Sequence, residues 1–292
     1  MLRERLVRRY GTRVESWLDA LPHLLASLAE RWQLEFGSLI PLGHMSVVMN
    51  CRASDGTPCV MKVCPDRDRL ASEAAALALW DTTHVPSVLD VDTDVGALLI
   101  EAIIPGTMFV DEPEFPTPAV AELLTALHGR GRPDPIYRPV EDHVEYLFDA
   151  SARHRSQRPE LQEVVSPALL ERGRRLALQL ASERATPVLL HGDLTPVNVL
   201  DGGPERGLVA IDPAPCLGDP AFDAVDLLFW RAENVDTIVS RAESLAPAMD
   251  AEPDRMLAWC AAFAGMLASE LAGEPDSSEA RIRTALELSQ SR

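Results

Sequence analysis

The spacing of apolar residues predicts that helices and strands are mixed in the first part of the chain. Apolar side chains recur at steps of three and four over 13–33, which is typical of an amphipathic helix packing one face on a core. Over 37–63, short apolar runs flank the turn-forming residues 54–58, which predicts an antiparallel hairpin. Further elements expected here are a helix over 68–80 and strands over 87–91 and 97–103.

A break at Pro105–Gly106 separates this part from a mostly helical remainder. We therefore expect an N-lobe at 1–104, with a leading helix, a sheet and a second helix, and a C-lobe at 105–292. Short apolar runs of strand type interrupt the C-lobe at 187–190 and 208–211. Helical periodicity is found at 119–128, 143–149, 168–181, 224–230, 237–248, 256–271 and 282–288.

The composition indicates a cytoplasmic protein with one sizeable core. A chain of 292 residues with 47% hydrophobic content can bury such a core. The basic first ten residues lead into polar ones rather than an apolar signal region, and we find no run of about 18 apolar residues that predicts a membrane span. The five cysteines are scattered without the spacing of a metal site, so we expect free thiols.

The net charge of -18 argues against nucleic acid as a partner, because nucleic-acid binding depends on clustered Lys and Arg. An acidic surface attracts a cationic small molecule, although it also serves solubility alone. Among the 27 basic residues Lys62 is the single lysine. Because every other basic position is arginine, we expect Lys62 to stand where a compact ammonium is needed. The alternative is that this one lysine occurs by chance.

The segment 191–200 carries the most informative polar pattern. Asp193 and Asn198 stand five residues apart in a loop that follows a predicted strand, and Asp212 follows the next predicted strand. Phosphoryl transfer needs such a set: a carboxylate to accept the proton of the attacking hydroxyl, and oxygen ligands for magnesium. A simple polar turn uses the same residue types, but it does not account for the second carboxylate or for Lys62 in a strand of the other lobe.

The run 60–63 predicts a strand that directs Lys62 away from the face of its neighbours Met61 and Val63. An ammonium placed this way can contact nucleotide phosphates if a carboxylate holds it. Glu73, on the helix that follows, is the expected partner; the alternative is a solvated Glu73, since Asp66 and Asp68 are also near.

The motif H-G-D-x-x-x-x-N at 191–198, followed by I-D-P at 211–213, resembles the aminoglycoside phosphotransferase family, a branch of the protein-kinase-like fold. The stretch 211–223 is most similar to the streptomycin 6-kinase and hydroxyurea phosphotransferase branch. The resemblance implies a two-lobed fold with an antiparallel-sheet N-lobe and a mostly helical C-lobe.

The resemblance also implies roles for individual residues. Asp193 becomes the catalytic base, and Asn198 and Asp212 become ligands of Mg²⁺ beside ATP or GTP. His191 and Asp223 become supports of the catalytic loop.

Two further segments match the family less distinctly. The loop 42–46 has one glycine, Gly43, where protein kinases have several, so its backbone and Ser46 are expected to contact the phosphates. The run 98–106 resembles the segment that joins the lobes, and Glu101 and Ile103 are then expected to bind adenine through their main chain. A core strand ending at a turn is the alternative.

The predicted function is transfer of a γ-phosphate to a hydroxyl of a cationic antibiotic, with a streptomycin-like acceptor first, by a monomer or weak dimer. The alternatives are a kinase for a nucleoside or peptide antibiotic, hydroxyurea, a sugar or an amino alcohol, and a pseudokinase that binds without turnover. Acidic and aromatic residues of the late helices either line the acceptor pocket or form a helix surface. They are Asp226, Trp230, Glu233, Asn234 and Asp236.

Overall fold

The computed structural model of the protein describes residues 2–41, 45–80, 83–129, 137–183, 187–274 and 277–290. Contacts between Cα atoms divide the chain into a first unit, Met1–Gly106, and a second unit, Thr107–Arg292.

The first unit is built on a five-stranded antiparallel sheet in the order β1-β2-β3-β5-β4. Its strands are β1 (Leu34–Ile40), β2 (Val47–Ala53), β3 (Pro58–Val63), β4 (Val88–Asp92) and β5 (Ala97–Glu101). Its helices are α1 (Leu2–Tyr10), α2 (Glu15–Trp32) and α3 (Arg67–Leu79). The predicted hairpin and the helix before β4 are therefore present.

Alternation along β3 sorts the side chains of the first unit onto two faces. Cys59, Met61 and Val63 enter one buried cluster with the apolar faces of α1 and α2. Lys62 lies between them in sequence and so points to the opposite face, as expected from the period of two in a strand. This alternation is what separates the hydrophobic core from the charged group.

Two elements of the first unit were not predicted. The helix α1 is dense in arginine and fully buries only Leu6, although Leu2, Leu6 and Tyr10 recur at steps of four and pack on the core cluster. The strand β1 contains Gly37 and is mostly exposed, because it is an edge strand. The strand β1 is therefore defined mainly by its pairing with β2, whereas α1 has an apolar face that its arginine content obscured.

The second unit consists mainly of helices. They are α4 (Thr117–His128), α5 (Val140–Ser156), α6 (Glu160–Val164), α7 (Pro167–Ser182), α8 (Val225–Phe229), α9 (Val235–Leu245), α10 (Pro253–Gly273) and α11 (Glu279–Gln290). Four short strands form two antiparallel pairs: β6 (Val188–Leu190) with β9 (Cys216–Gly218), and β7 (Val199–Asp201) with β8 (Leu208–Ala210). The predicted strands β6 and β8 thus pair with β9 and β7, which were not predicted.

The helix α10 is the centre of the second unit and packs against α7 and α11. Among the described residues it is the one helix long and apolar enough to cross a membrane, with a mean hydropathy of 1.4 over 18 residues. This run was not predicted as a membrane span from the sequence, because charged residues interrupt it. Because 67% of that window is buried inside the protein, α10 has the character of a core helix. All five cysteines are free, as predicted.

The close approach of α7 to α10 depends on Gly173. A Cβ at this position would fall inside the van der Waals radius of the Ala262 carbonyl oxygen, which belongs to the backbone of α10 and cannot rotate away. Gly265, on α10 itself, offers a matched control, because the nearest atom to a Cβ there is at 3.7 Å, an ordinary contact.

We expect Gly173→Ala to lower the free energy of unfolding by about 1–3 kcal/mol, since overpacking outweighs the gain in helix propensity. Gly265→Ala should be neutral or raise it by about 0.5–1 kcal/mol. Urea unfolding of both variants followed by circular dichroism measures the difference. Equal stability of the two variants would contradict the close approach of the two backbones.

Candidate active site

The single lysine of the chain forms a buried ion pair in the first unit. The Lys62 Nζ donates to Oε1 of Glu73 at 2.8 Å and to Oε2 at 2.6 Å. The two residues are 5% and 1% exposed. Asp66 has another role, because it caps α3 by accepting from the Arg69 N–H at 3.1 Å, and Asp68 is exposed. The partner expected for Lys62 is therefore the one present, and a buried charge pair of this kind holds its ammonium in one position.

The other first-unit residues of interest are placed as follows. Ser46 is buried directly before β2, and Gly43 lies outside the described residues. Glu101 ends β5, and its N–H donates to the Ser87 carbonyl at 3.0 Å. That N–H is therefore already used. Ile103 lies beyond the strand and is 9% exposed.

The catalytic-loop motif follows β6 directly, and its path requires the glycine in it. Gly192 has φ 77°, a conformation that other residues adopt only with strain. A Cβ there would also overlap the carbonyl oxygen of Ala214, whose N–H donates to the His191 carbonyl at 2.9 Å. The loop therefore turns tightly against the segment before β9.

A buried carboxylate, Asp223, anchors the start of this loop. Its Oδ2 accepts from the His191 N–H at 2.8 Å and from His128 Nε2 at 2.9 Å, and its Oδ1 accepts from the Gly192 N–H at 2.9 Å. Asp219 caps the short turn that leads to Asp223. Burial acts to raise the pKa of Asp223, but the hydrogen bonds and nearby histidines outweigh it and hold that pKa below its usual range. The carboxylate is thus ionised where it binds the loop.

The His191 side chain is fixed in one tautomer by its two neighbours. The Asp193 N–H can only donate, so Nδ1 of His191 is the acceptor of that contact at 3.3 Å. The proton is then on Nε2, which donates to the Ile211 carbonyl at 3.0 Å. Burial lowers the pKa of His191, so the ring is neutral and links the loop to the end of β8.

Asp193 and Asn198 are brought into direct contact. The Asn198 Nδ2 donates to the Asp193 carbonyl oxygen at 2.8 Å and to its Oδ2 at 3.2 Å. Because the carboxamide is planar, its Oδ1 is directed away from Asp193. The loop closes with the Asn198 N–H donating to the Thr195 carbonyl at 2.9 Å. The carboxylate of Asp193 is therefore held at a fixed angle.

The pairing of β7 with β8 places Asp212 beside this contact. Val199 pairs with Ala210, and the Ile211 N–H donates to the Asn198 carbonyl at 2.8 Å, so Asp212 is the next residue along. Asp212 has φ 57°, a left-handed conformation that is uncommon outside glycine and is often found at functional sites.

These residues fit a magnesium ion. Within the described part of the chain, no group of three or more His, Cys, Asp or Glu side chains could hold a metal. Magnesium in kinases needs fewer protein ligands, because phosphates and water complete its shell. One carboxylate from Asp212 and the Oδ1 of Asn198 are hard oxygen donors of the appropriate type.

Two histidines that were not predicted from the sequence, His128 and His143, support the loop. His128 contacts Asp223 as described. Arg138 can only donate, so its NH2 contact makes Nδ1 of His143 an acceptor, and the His143 Nε2 then donates to the Gly192 carbonyl at 2.6 Å. The one signal in the sequence is position: His128 and His143 fall on the apolar stripes of α4 and α5, a helical turn from Leu124 and Val140.

Asp226 on α8 and Glu270 on α10 interact electrostatically with the carboxylates of the loop region, Asp223 and Asp193. Burial raises the pKa of Asp226 to about 7, and the charges of Glu270 and Asp223 add to the effect. Desolvation by the surrounding protein likewise raises the pKa of Glu270 to about 7, assisted by Glu274 and Asp193, although the side chain keeps an exposed part. Asp226 is half-buried and Glu270 remains open to solvent, so a ligand can reach both although the surrounding protein disfavours their charged forms.

The other residues considered for an acceptor pocket have different surroundings. Trp230 is buried, with its ring 4.9 Å from that of Phe109. Asn234 caps α9 by accepting from the Thr237 N–H at 2.8 Å. Glu233 and Asp236 are exposed.

Comparison with known proteins identifies the relatives of this arrangement. The family model described as aminoglycoside/hydroxyurea antibiotic resistance kinase matches residues 31–273. The streptomycin 6-kinase of Streptomyces glaucescens is 28% identical over 237 residues, which are 78% of this chain and 73% of the relative. The hydroxyurea phosphotransferase of Kitasatospora aureofaciens is 29% identical over 261 residues, 86% of this chain and 73% of the relative.

Solved structures agree on the fold. A thermostable mutant of an aminoglycoside phosphotransferase, in a ternary complex with ADP and hygromycin B, aligns with a TM-score of 0.59 at 16% identity, covering 90% of this chain and 96% of that one. Choline kinase LicA from Streptococcus pneumoniae aligns with a TM-score of 0.58 at 14% identity, covering 92% and 100%. The predicted protein-kinase-like fold is therefore confirmed, and the chain is a kinase that belongs to the aminoglycoside/hydroxyurea antibiotic resistance kinase family.

Proposed function

We propose that this protein transfers the γ-phosphate of ATP, with Mg²⁺, to a hydroxyl of a cationic antibiotic of the streptomycin type. The observation that carries the proposal is the hydrogen bond from the Asn198 Nδ2 to the Asp193 carboxylate, in a loop whose pairing with β8 brings the backbone of Asp212 next to it. This is the minimum set for moving a phosphoryl group by positioning and charge neutralisation.

Lys62 is the residue proposed to contact the nucleotide phosphates. Glu73 neutralises part of its charge and sets its direction, with both carboxylate oxygens within 2.8 Å of Nζ. Ser46 and the backbone around Gly43 and Ile103 are proposed to complete nucleotide binding. The N–H of Glu101 is engaged with Ser87, so a main-chain contact from Glu101 to adenine would use its carbonyl.

Asp193 is proposed as the catalytic base. Its carboxylate would accept the proton of the acceptor hydroxyl as the oxygen attacks the γ-phosphorus. Asn198 would orient this carboxylate with its Nδ2 and face the metal with its Oδ1, while Asp212 supplies the charged ligand. Magnesium at this position would neutralise charge on the phosphates. The anchoring of His191 and Gly192 by Asp223 keeps the loop in place during the reaction.

The preference for a cationic acceptor follows from Asp226 and Glu270. Their pKa values are raised first by desolvation and then by neighbouring negative charges, that of Glu270 acting on Asp226 and those of Glu274 and Asp193 acting on Glu270. A guanidinium or ammonium group between them would remove both penalties. An uncharged acceptor such as hydroxyurea gains nothing from these carboxylates, which favours the streptomycin type over the other acceptor named among the relatives.

The test of the reaction is incubation with ATP, Mg²⁺ and a panel of streptomycin, hydroxyurea and uncharged nucleoside antibiotics. We expect a phosphate adduct on streptomycin, detected by mass spectrometry. Asp193→Ala should lower kcat by about 10²–10⁴-fold and leave nucleotide affinity unchanged, because a general base acts only on the chemical step.

Asp236→Ala is the matched control, since this aspartate is exposed on α9. Turnover by Asp193→Ala at the rate of the control would refute the assignment of the base. Absence of both turnover and nucleotide binding in the unmodified protein would favour the pseudokinase.

A second prediction concerns Asp223. Asp223→Asn should lower the free energy of unfolding at neutral pH by about 1.5–3 kcal/mol, because one donor then faces an amide nitrogen. The folded-state pKa of Asp223 is depressed, so its stabilisation is present above the ordinary aspartate value and is lost as pH falls through the folded value. Urea unfolding at a series of pH values should therefore show the two proteins converging in acid. A difference that stays constant with pH would exclude this role of the charge.

A third prediction concerns the acceptor. The KM for streptomycin should fall as pH rises from about 6 to 8, by up to about tenfold per unit, because the pair must lose protons to bind a cation. Asp226→Asn and Glu270→Gln should raise this KM and flatten its pH profile, while the KM for ATP stays unchanged.

The same variants separate binding from folding. Because the folded protein holds these protons more tightly than the unfolded chain, stability declines as pH rises from about 4 to 7. Asp226→Asn should therefore be more stable than the unmodified protein at pH about 8. A KM for streptomycin that does not depend on either carboxylate would rule out the cationic site.

A further inference from the structure

A cavity in the second unit lies among α5, α6 and α7 and shares no lining residue with the site described above. Its volume is about 360 Å³. Apolar side chains, including Phe148 and Leu170, form part of its wall, and Arg155, Glu171 and Arg174 bring charged groups to it. A cavity of this size holds a small organic molecule.

The guanidinium of Arg155 is the unusual feature of this cavity. Arg155 lies in the last turn of α5 and is 4% exposed. Its NH2 donates to the Val165 carbonyl, and its Nε is buried without an acceptor. Burial alone accounts for the lowered pKa of Arg155, and no carboxylate in the described part of the chain forms a salt bridge with it. A buried cation without a counter-charge is unfavourable unless something else balances it.

The carboxylates near the cavity are already engaged elsewhere. Arg174 forms salt bridges with Glu145 and Asp149, with a nitrogen-to-oxygen distance of 2.7 Å in each. Glu171 lies 3.7 Å from Arg174 and 3.7 Å from Arg175. Glu145, Asp149 and Glu171 therefore pair with other arginines, and Arg155 lines the cavity without a carboxylate partner among the described residues.

We propose that this cavity binds a small organic carboxylate, with Arg155 as its counter-charge and an apolar body against Phe148 and Leu170. The planar guanidinium fork matches a carboxylate. Because Glu171 is on the same wall, a singly charged head group fits better than a doubly charged phosphate. The site is independent of the function proposed above.

The probe is benzoate, compared with benzamide, its uncharged counterpart, and with inorganic phosphate at matched ionic strength. We expect millimolar benzoate to raise the melting temperature and to show saturation-transfer NMR signals, and benzamide and phosphate to do neither. Arg155→Met should weaken benzoate binding by at least about tenfold. Arg153→Met changes an exposed arginine two residues earlier on α5; it is the matched control and should bind benzoate normally.

Two further results distinguish a binding site from a structural arginine. Without ligand, Arg155→Met should melt no lower than the unmodified protein, since it removes an uncompensated buried charge. Glu171→Gln should tighten benzoate binding and allow phosphate to bind. Equal binding of benzoate and benzamide, benzoate binding unaffected in Arg155→Met, no benzoate binding at all, or a large loss of stability in Arg155→Met would each overturn the proposal.

Discussion

The buried carboxylate of Asp223 is the constraint on which the catalytic loop depends. Burying a charge in a protein is unfavourable unless hydrogen bonds replace its water, and here the backbone N–H groups of His191 and Gly192 together with His128 provide them. The same contacts that make the burial of Asp223 tolerable fix the backbone that precedes Asp193. The same hydrogen bonds therefore stabilise the fold and position the catalytic loop, so a substitution of Asp223 affects both.

Charged groups in this protein fall into two classes that differ in how well they are satisfied. Asp223 and the pair of Lys62 with Glu73 have partners of opposite charge or hydrogen-bond donors, and they hold backbone or side chains in place. Asp226 and Glu270 are held near like charges and have raised pKa values. The second arrangement reduces the stability of the empty protein and is the one expected where a ligand supplies the missing charge.

The sequence predicted those parts of the site that depend on local pattern. Alternation along β3 was sufficient to place Lys62 opposite the core, and helical spacing brought Glu73 within reach. The strands β7 and β9 were missed because Asp201 and Gly218 interrupt their apolar residues, whereas the equally short β6 and β8 lie in continuous apolar runs. His128 and His143 were missed for a related reason, since each resembles an ordinary residue of a buried helix face until the fold brings Asp223 or Gly192 to it.

The acceptor could not be predicted from the sequence alone, and the fold explains why. Asp193, Asn198 and Asp212 lie in one short stretch, and the roles proposed for them concern the phosphoryl group, so they would serve any acceptor with a hydroxyl. Asp226 and Glu270 are far apart in sequence, and the charge of Glu270 acts on Asp226 only because α8 packs on α10. Relatives named for streptomycin and for hydroxyurea share the family, so the choice between a cationic and an uncharged acceptor has to lie outside the common catalytic set. Charged residues on helices that contact the catalytic loop, but are not part of it, can therefore be substituted without disturbing the arrangement of Asp193, Asn198 and Asp212.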